Sequence, residues 1–308
     1  LLLTIKHNNC LQPLVTIVIP TYNRSALLRE AIVSVLLQDY PHWELVIADD
    51  GSADDTAAMV ASFNDERISF LRMEHTGNIA LLRNAGARAG CGRWICFLDS
   101  DDTWMPGKLS AQLAVLDDDD ERWCYGGFEM VDTEGQPLPL RSGGYHPYPG
   151  NITELLLTNT ATAAIGTLML SRRSFENLDG FDTRPELLYR EDYELVLRLS
   201  QQAQAVALPQ TLVRIREHAG RSTNHFERPH EQTAWLYGHF AATCNDPLLK
   251  KTALKRRAYL VTEAAVKQLE KRQYSRAFRL LAKAAYSGDR LRHLASVFLV
   301  RWPKRSSA

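Results

Sequence analysis

The chain has 308 residues, 45% hydrophobic and 23% charged, which is the balance of an ordinary globular protein with room for one large domain or a domain plus an appendage. No apolar run approaches the roughly 20 residues needed to span a bilayer. The opening LLLTI is too short for a signal-peptide core and has no basic flank before it, so a cytoplasmic protein is expected.

The zero net charge conceals a split. From Lys250 to the C-terminus, 16 Lys or Arg residues stand against 3 Asp or Glu, so this stretch carries +13 and the remainder −13. A basic tail of this kind fits an acidic partner or an anionic membrane surface, and the acidic remainder argues against a nucleic-acid-binding body. Cysteines at 10, 91, 96, 124 and 244 form no CxxC pair and no zinc-ligand spacing, so reduced, mostly buried thiols are expected.

The first 116 residues alternate strand and helix patterns. VTIVIP (15–20) is β-branched and closes on a proline, and SALLREAIVSVLLQ (25–38) repeats apolar residues at helical spacing. WELVIADD (43–50) reads as a second strand. SADDTAAMVASF (52–63) reads as a helix in which Ser52 and Asp55 have capping-box spacing. A third strand, ISFLRM (68–73), precedes a helix, NIALLRNAGARA (78–89), that stops at Gly90. RWICFLD (93–99) is a fourth strand, and PGKLSAQLAVL (106–116) is a helix with proline near its start.

Such alternation indicates parallel β-α units with right-handed crossovers, whose ligands sit outside the carboxyl ends of the strands. Those ends here are PTYNR, ADDGS and FLDSDD, and the three turns should converge on one crevice. Beyond them, DDDDE (117–121) reads as a solvated loop. WCYGGFEMV and GTLMLS (166–171) read as further strands with a TEGQP turn between them. REDYELVLRLSQQ (190–202) reads as an amphipathic helix with an acidic start. From about Gln232 only helices are expected, closing with RLRHLASVFLVRWPKR (290–305), a mixture of apolar and basic residues.

Three carboxylates, Asp99, Asp101 and Asp102, end the fourth strand. They suit a solvated, helix-capping turn, or a divalent-cation site of hard oxygen ligands completed by substrate phosphates. Asp99, Asp101 and Thr103 also match a phosphatase-type DxDxT pattern. That motif normally lies on the first strand of its domain, and no later Gly-Asp acidic pair accompanies it here. Asp49 and Asp50 offer acceptors for a base N–H or a ribose hydroxyl, Tyr22 a face for stacking, and Arg24 a phosphate or base partner.

TIVIPTYNR, VIADDGSADDT and FLDSDDTWMPGKL, in that order, resemble the family-2 glycosyltransferases of the GT-A fold. TGNIALLRNAGARAG and LDGFDTRPELLYREDYELVLRL are similar to that family's intervening and acceptor-side segments. The resemblance covers roughly residues 14–225. It implies a Rossmann-like α/β fold, with a mostly parallel central sheet flanked by helices, over residues 1–230, and an α-helical extension over 231–308.

It further implies inverting, metal-dependent transfer of a sugar from a nucleotide-diphosphate donor to an acceptor hydroxyl. UDP is the favoured nucleotide, with GDP or dTDP as alternatives, and the acceptor is a saccharide or a lipid-linked one in surface polysaccharide or lipopolysaccharide synthesis. Carried over by position, Pro20, Tyr22, Arg24, Asp49, Asp50, Asn78, Arg83 and Ser100 would line the nucleotide pocket. Asp99 and Asp101 would hold Mn²⁺ or Mg²⁺, with Asp102 behind them and His218 within reach. Asp192 would be the catalytic base and Glu191 its acidic neighbour.

The absence of a QxxRW sequence after the acid pair favours single-sugar transfer over polymerisation. A second reading is a non-catalytic, nucleotide-binding scaffold of the same fold acting through its basic tail. The tail also admits a peripheral position at the inner face of the cell membrane.

Overall fold

The computed structural model describes residues 15–117, 119–139, 145–219 and 229–286. The strands are β1 (Val15–Thr21), β2 (Trp43–Asp49), β3 (Ile68–Arg72), β4 (Trp94–Phe97), β5 (Thr103–Trp104), β6 (Arg122–Val131), β7 (Pro137–Leu138), β8 (Met169–Ser171) and β9 (Gln204–Arg216). The helices are α1 (Ser25–Leu36), α2 (Thr56–Ala61), α3 (Ile79–Ala89), α4 (Lys108–Leu116), α5 (Thr153–Leu157), α6 (Arg172–Asn177), α7 (Glu191–Gln202), α8 (Pro229–Thr243), α9 (Pro247–Glu270) and α10 (Tyr274–Tyr286).

Two compact units result. The first takes in the described residues of Leu1–Ile152 and Ala161–Asn224, and the second those of Thr153–Thr160 and His225–Ala308.

In the first unit the sheet runs β3-β2-β1-β4-β8-β6-β9-β5, with β7 on β6. β3, β2, β1 and β4 are parallel. β8 is antiparallel to β4 and β6, and β9 runs parallel to β6. β1 is buried along its whole length, as expected of a parallel strand covered on both faces. Each fully buried Val or Ile there contributes about 1.5–3 kcal/mol, so its register is strongly fixed. α1 covers one face with Leu28, Ala31, Ile32 and Val35, a helical i, i+3, i+4, i+7 stripe. α3 comes close to β1 because residue 86 is glycine: a Cβ there would lie 2.4 Å from Val18 Cγ1.

Three local outcomes differ from the sequence expectations. α2 begins at Thr56 rather than Ser52, because the Ser52 hydroxyl accepts from Asn23 N–H (2.8 Å) and Asp54 accepts from Thr56 N–H (3.1 Å). Residues 165–167 form a 3₁₀ turn, which shortens the strand expected over 166–171 to β8. β9, thirteen residues long, was not expected at all. The cysteines follow expectation: Cys96, Cys124 and Cys244 are buried, and Cys91 is exposed.

α4 opens on a fully buried lysine. Lys108 Nζ donates to Gln112 Oε1 at 2.7 Å and sits 4.0 Å from the centre of the Trp104 ring, and Gln112 Nε2 donates to Thr167 O at 2.8 Å. Burial pushes the Lys108 amine down from its ordinary value.

In the second unit α8, α10 and α5 all pack on α9. Its apolar residues include the buried Leu236, Tyr237, Leu260, Ala265 and Ala277. Asp246 caps α9 by accepting from Leu248 N–H (2.7 Å) and Leu249 N–H (3.1 Å). Residues 290–305, expected as a basic-apolar segment, lie outside the described residues. No helix among the described residues is long and apolar enough to cross a membrane.

Candidate functional site

The three turns do meet. A cleft of about 330 Å³ opens at the carboxyl ends of β1, β2 and β4, lined by Pro20, Tyr22, Arg24, Asp50, Arg83 and Asp99–Asp102 among others. Leu188, Tyr189, Glu191 and Asp192 close it from the start of α7.

On the β2 side, the ADDGS turn depends on Gly51 at φ +78°, where a side chain would be strained and its Cβ would press to 3.2 Å from His75 N. Asp50 faces the cleft. Its Oδ1 accepts from Thr76 N–H (2.8 Å) and Thr76 Oγ1 (3.0 Å), and its Oδ2 from Gly77 N–H (2.9 Å). Asp49 points the other way. It is fully buried, accepts from Ser52 N–H at 3.0 Å, and does not line the cleft.

Asn78 is also turned to structural use. Its Oδ1 caps α3 through Ala80 N–H (3.1 Å), and its Nδ2 donates to Thr183 O (2.9 Å). Tyr22 is 42% exposed and stacks on His75, with ring centroids 4.3 Å apart and planes 19° apart.

The FLDSDD turn gathers three carboxylates, one oxygen of each within 4.8 Å of the others. A compact set of hard oxygen donors is the chemistry that Mg²⁺ or Mn²⁺ selects, so the residues fit such an ion. Arg24 Nη1 donates to Asp101 Oδ2 at 2.7 Å, and His218 Nε2 lies 3.0 Å from the same oxygen. Asp102 is anchored from behind: its Oδ1 accepts from Arg216 N–H at 3.0 Å. Ser100 is buried in the same turn and lines the cleft.

Arg83 joins the two sides of the cleft. Buried on α3, it donates to Asp99 Oδ1 (2.6 Å) through Nη2 and to Glu191 Oε1 (2.8 Å) through Nη1. Burial disfavours its charge, but Asp99, Glu191 and Asp192 together outweigh that, and its pKa is raised. Glu191 is pushed up to about 7, first by burial and then by Asp192 and Asp99, with Arg83 opposing. Beside Arg83, Asn84 holds the approach to α7 with a two-way bond: Nδ2 donates to Phe181 O (2.8 Å) and Oδ1 accepts from Phe181 N–H (2.8 Å).

Tyr189 takes φ +64°, a left-handed conformation unusual for an aromatic residue, immediately before the acid pair. Glu191, Asp192 and Glu194 fill the first turn of α7, where the positive end of the helix dipole favours negative charge. Asp192 remains partly exposed at the cleft wall.

Of the expected site residues, Asp49 and Asn78 thus stand outside the cleft, and His218 is drawn to its acidic turn. His75 and Tyr189 were not foreseen. The signal for His75 was available: it follows β3, a fourth parallel strand whose carboxyl end belongs to the same edge of the sheet.

A mixed sheet whose parallel strands end on a cleft with an acidic turn is the GT-A architecture. Residues 16–179 match the model of the family described as Glycosyl transferase family 2, and the chain belongs to that family. It is 39% identical over 119 residues to the Escherichia coli protein named UDP-Glc:alpha-D-GlcNAc-diphosphoundecaprenol beta-1,3-glucosyltransferase WfgD, covering 39% of this chain and 47% of that protein. The chain spans about half the length of the first curated relatives that it matches.

Among solved structures, S. aureus TarS 1–349 in complex with UDP-GlcNAc superposes with a TM-score of 0.68 at 17% identity, over 89% of this chain and 81% of that one. The mannosyltransferase PcManGT of Pyrobaculum calidifontis, in complex with GDP-Man and Mn²⁺, gives 0.59 at 19% identity, over 94% and 82%. These likenesses establish the fold.

Proposed function

We propose that the protein is an inverting, metal-dependent glycosyltransferase that moves one sugar from a nucleotide-diphosphate sugar, a UDP-sugar by preference, to an acceptor hydroxyl. The observation that carries this reading is the cleft itself. It sets a base-sized aromatic and carboxylate pair, Tyr22 and Asp50, beside a cluster of three carboxylates, and faces both with a partly exposed acid, Asp192, from another part of the chain.

Asp99 and Asp101 would hold the cation. When bound, it neutralises charge developing on the departing diphosphate. Arg24 lies beside it as a partner for phosphate oxygens. Asp192 takes the proton of the acceptor hydroxyl as that oxygen forms its bond to the anomeric carbon and the bond to the diphosphate breaks. Arg83, which lines the cleft, would position Asp99 and Glu191. The named relative's UDP-glucose donor and lipid-diphosphate acceptor favour a role in surface polysaccharide synthesis. The catalytic domain would occupy residues 1–230 and the basic extension 231–308.

Calorimetric titration of UDP, GDP, dTDP and CMP, with and without Mn²⁺, tests the reading. Selective, Mn²⁺-dependent binding of one diphosphate is expected, and it should be lost in Asp101→Ala. Asp192→Asn should keep that binding and lower transfer by about 10²–10⁴-fold. Absence of binding by every nucleotide would return the aspartates to a solvated-turn role.

The basic extension would rest on an anionic membrane surface. Leu248, Lys251, Lys255 and Tyr259 are exposed on one face of α9, and α10 exposes Tyr274 and Phe278. Co-sedimentation with phosphatidylglycerol vesicles that weakens as salt rises is expected, and no binding even at low salt would exclude this placement.

A further inference from the structure

His75 makes two contacts at once. Its ring stacks on Tyr22 with centroids 4.3 Å apart, and its Nδ1 lies 2.9 Å from Asp50 Oδ2 and 3.1 Å from Asp50 O. With two oxygen acceptors facing it, Nδ1 carries the proton and donates. A flat ring laid on an aromatic face, with an edge N–H directed at a carboxylate, is also the pair of contacts by which Tyr22 and Asp50 would recognise a nucleobase.

The other donors to Asp50 are the backbone N–H groups of Thr76 and Gly77, fixed by the turn, and the Thr76 hydroxyl. His75 is the ring among these donors, and the one that also covers the face of Tyr22. It is 53% exposed, so leaving costs little desolvation or packing.

We propose that the His75 imidazole occupies the nucleobase subsite as an internal surrogate, and that the base of the donor enters by displacing it. The proposal rests on the nucleotide-sugar reading of this cleft. It makes His75 a determinant of donor affinity and selectivity. Once the ring swings out, Asp50 Oδ2 offers an acceptor that suits a base with an edge N–H, such as uracil, thymine or guanine. Cytosine, which presents a ring acceptor at that position, is disfavoured. It also means that the observed affinity is the intrinsic one reduced by the fraction of molecules in which the subsite is open.

The test uses the full chain with UDP, GDP and dTDP in the presence of Mn²⁺. Removing the surrogate with His75→Ala should tighten the diphosphate that the wild-type protein binds by about three- to tenfold. Unchanged or weaker binding in the variant, with the wild type still binding, would overturn the displacement while leaving the nucleotide reading intact. If none of UDP, GDP and dTDP binds either protein, the nucleotide reading fails and the surrogate role fails with it.

A second measurement reads the ring itself in the wild-type protein. In the wild-type protein the His75 ring protons should resonate upfield, shielded by the Tyr22 ring, and saturation with the bound diphosphate should move them to the position of an exposed histidine. Their remaining upfield in the saturated complex would refute the proposal. The resonances are assigned among the chain's nine histidines by their absence in His75→Ala.

Discussion

The two ends of the parallel strands handle polar groups in opposite ways. At the amino end, Thr16 Oγ1 donates to Glu44 Oε1 (2.7 Å) and accepts from Gly92 N–H (2.8 Å) and Arg172 Nη2 (2.9 Å). Arg172 also donates to Gly92 O (2.8 Å) and Ala87 O (2.7 Å), and Glu44 accepts from Cys91 N–H and Gly92 N–H. At the carboxyl end, Thr21 Oγ1, Asp49 Oδ1, Arg83 Nε and Glu191 Oε2 are buried with no hydrogen-bond partner. A buried polar atom left unpaired costs about 1–3 kcal/mol, so a protein that closes its accounts at one end tolerates open ones at the other only where something is gained. One end is closed by its own hydrogen bonds, and the other leaves polar atoms unpaired on three residues that line the cleft, Thr21, Arg83 and Glu191.

The largest effect that sharpens this contrast is expected at Arg83. Replacing it with methionine strands two adjacent carboxylates, Asp99 and Glu191, and should cost about 3–5 kcal/mol in urea unfolding. Diphosphate binding should weaken along with stability. Arg172→Met should cost less, roughly 2 kcal/mol, because it removes hydrogen bonds without leaving an unpaired charge. It should leave diphosphate affinity unchanged, and a shift in that affinity would break the division between the two ends.

A further effect is one of pH. The Glu191 carboxyl is raised from 4.5 to about 7, so between those values the folded chain holds a proton that the unfolded chain has released. This contribution to stability is therefore present at low pH, declines as pH rises from about 4.5 to 7, and is level above. Glu191→Gln should abolish that decline when urea midpoints of the two proteins are compared across the window. Parallel curves would remove Glu191 as its source.

Much of this was legible in the chain. Strand and helix periodicities placed β1 to β4 and their helices, since each strand is a short apolar run and each helix has a regular stripe. The convergence of PTYNR, ADDGS and FLDSDD followed from parallel topology alone. β9 carries no such signal, and the reason is local. It carries Pro209 in its interior and loses register with β6 between Tyr125 and Phe128, so no clean alternation marks it. Yet β9 delivers Arg216, and the turn after it His218, to the acidic turn. Asp49 and Asp50 were equivalent as letters and differ in direction, because neighbouring residues at a strand end point to opposite sides. The carboxylate that takes up Ser52 N–H was not separable by sequence from the one that faces the cleft.

Lys108 carries a practical consequence. A primary amine sealed beneath Trp104 and bonded to Gln112 is out of reach of acylating reagents while the fold is closed. The exposed lysines of α9 react from the native state, whereas Lys108 reacts only when the core around α4 opens. Its rate of modification is thus an internal clock for opening of the layer that supports the acidic turn, readable peptide by peptide without a spectroscopic probe.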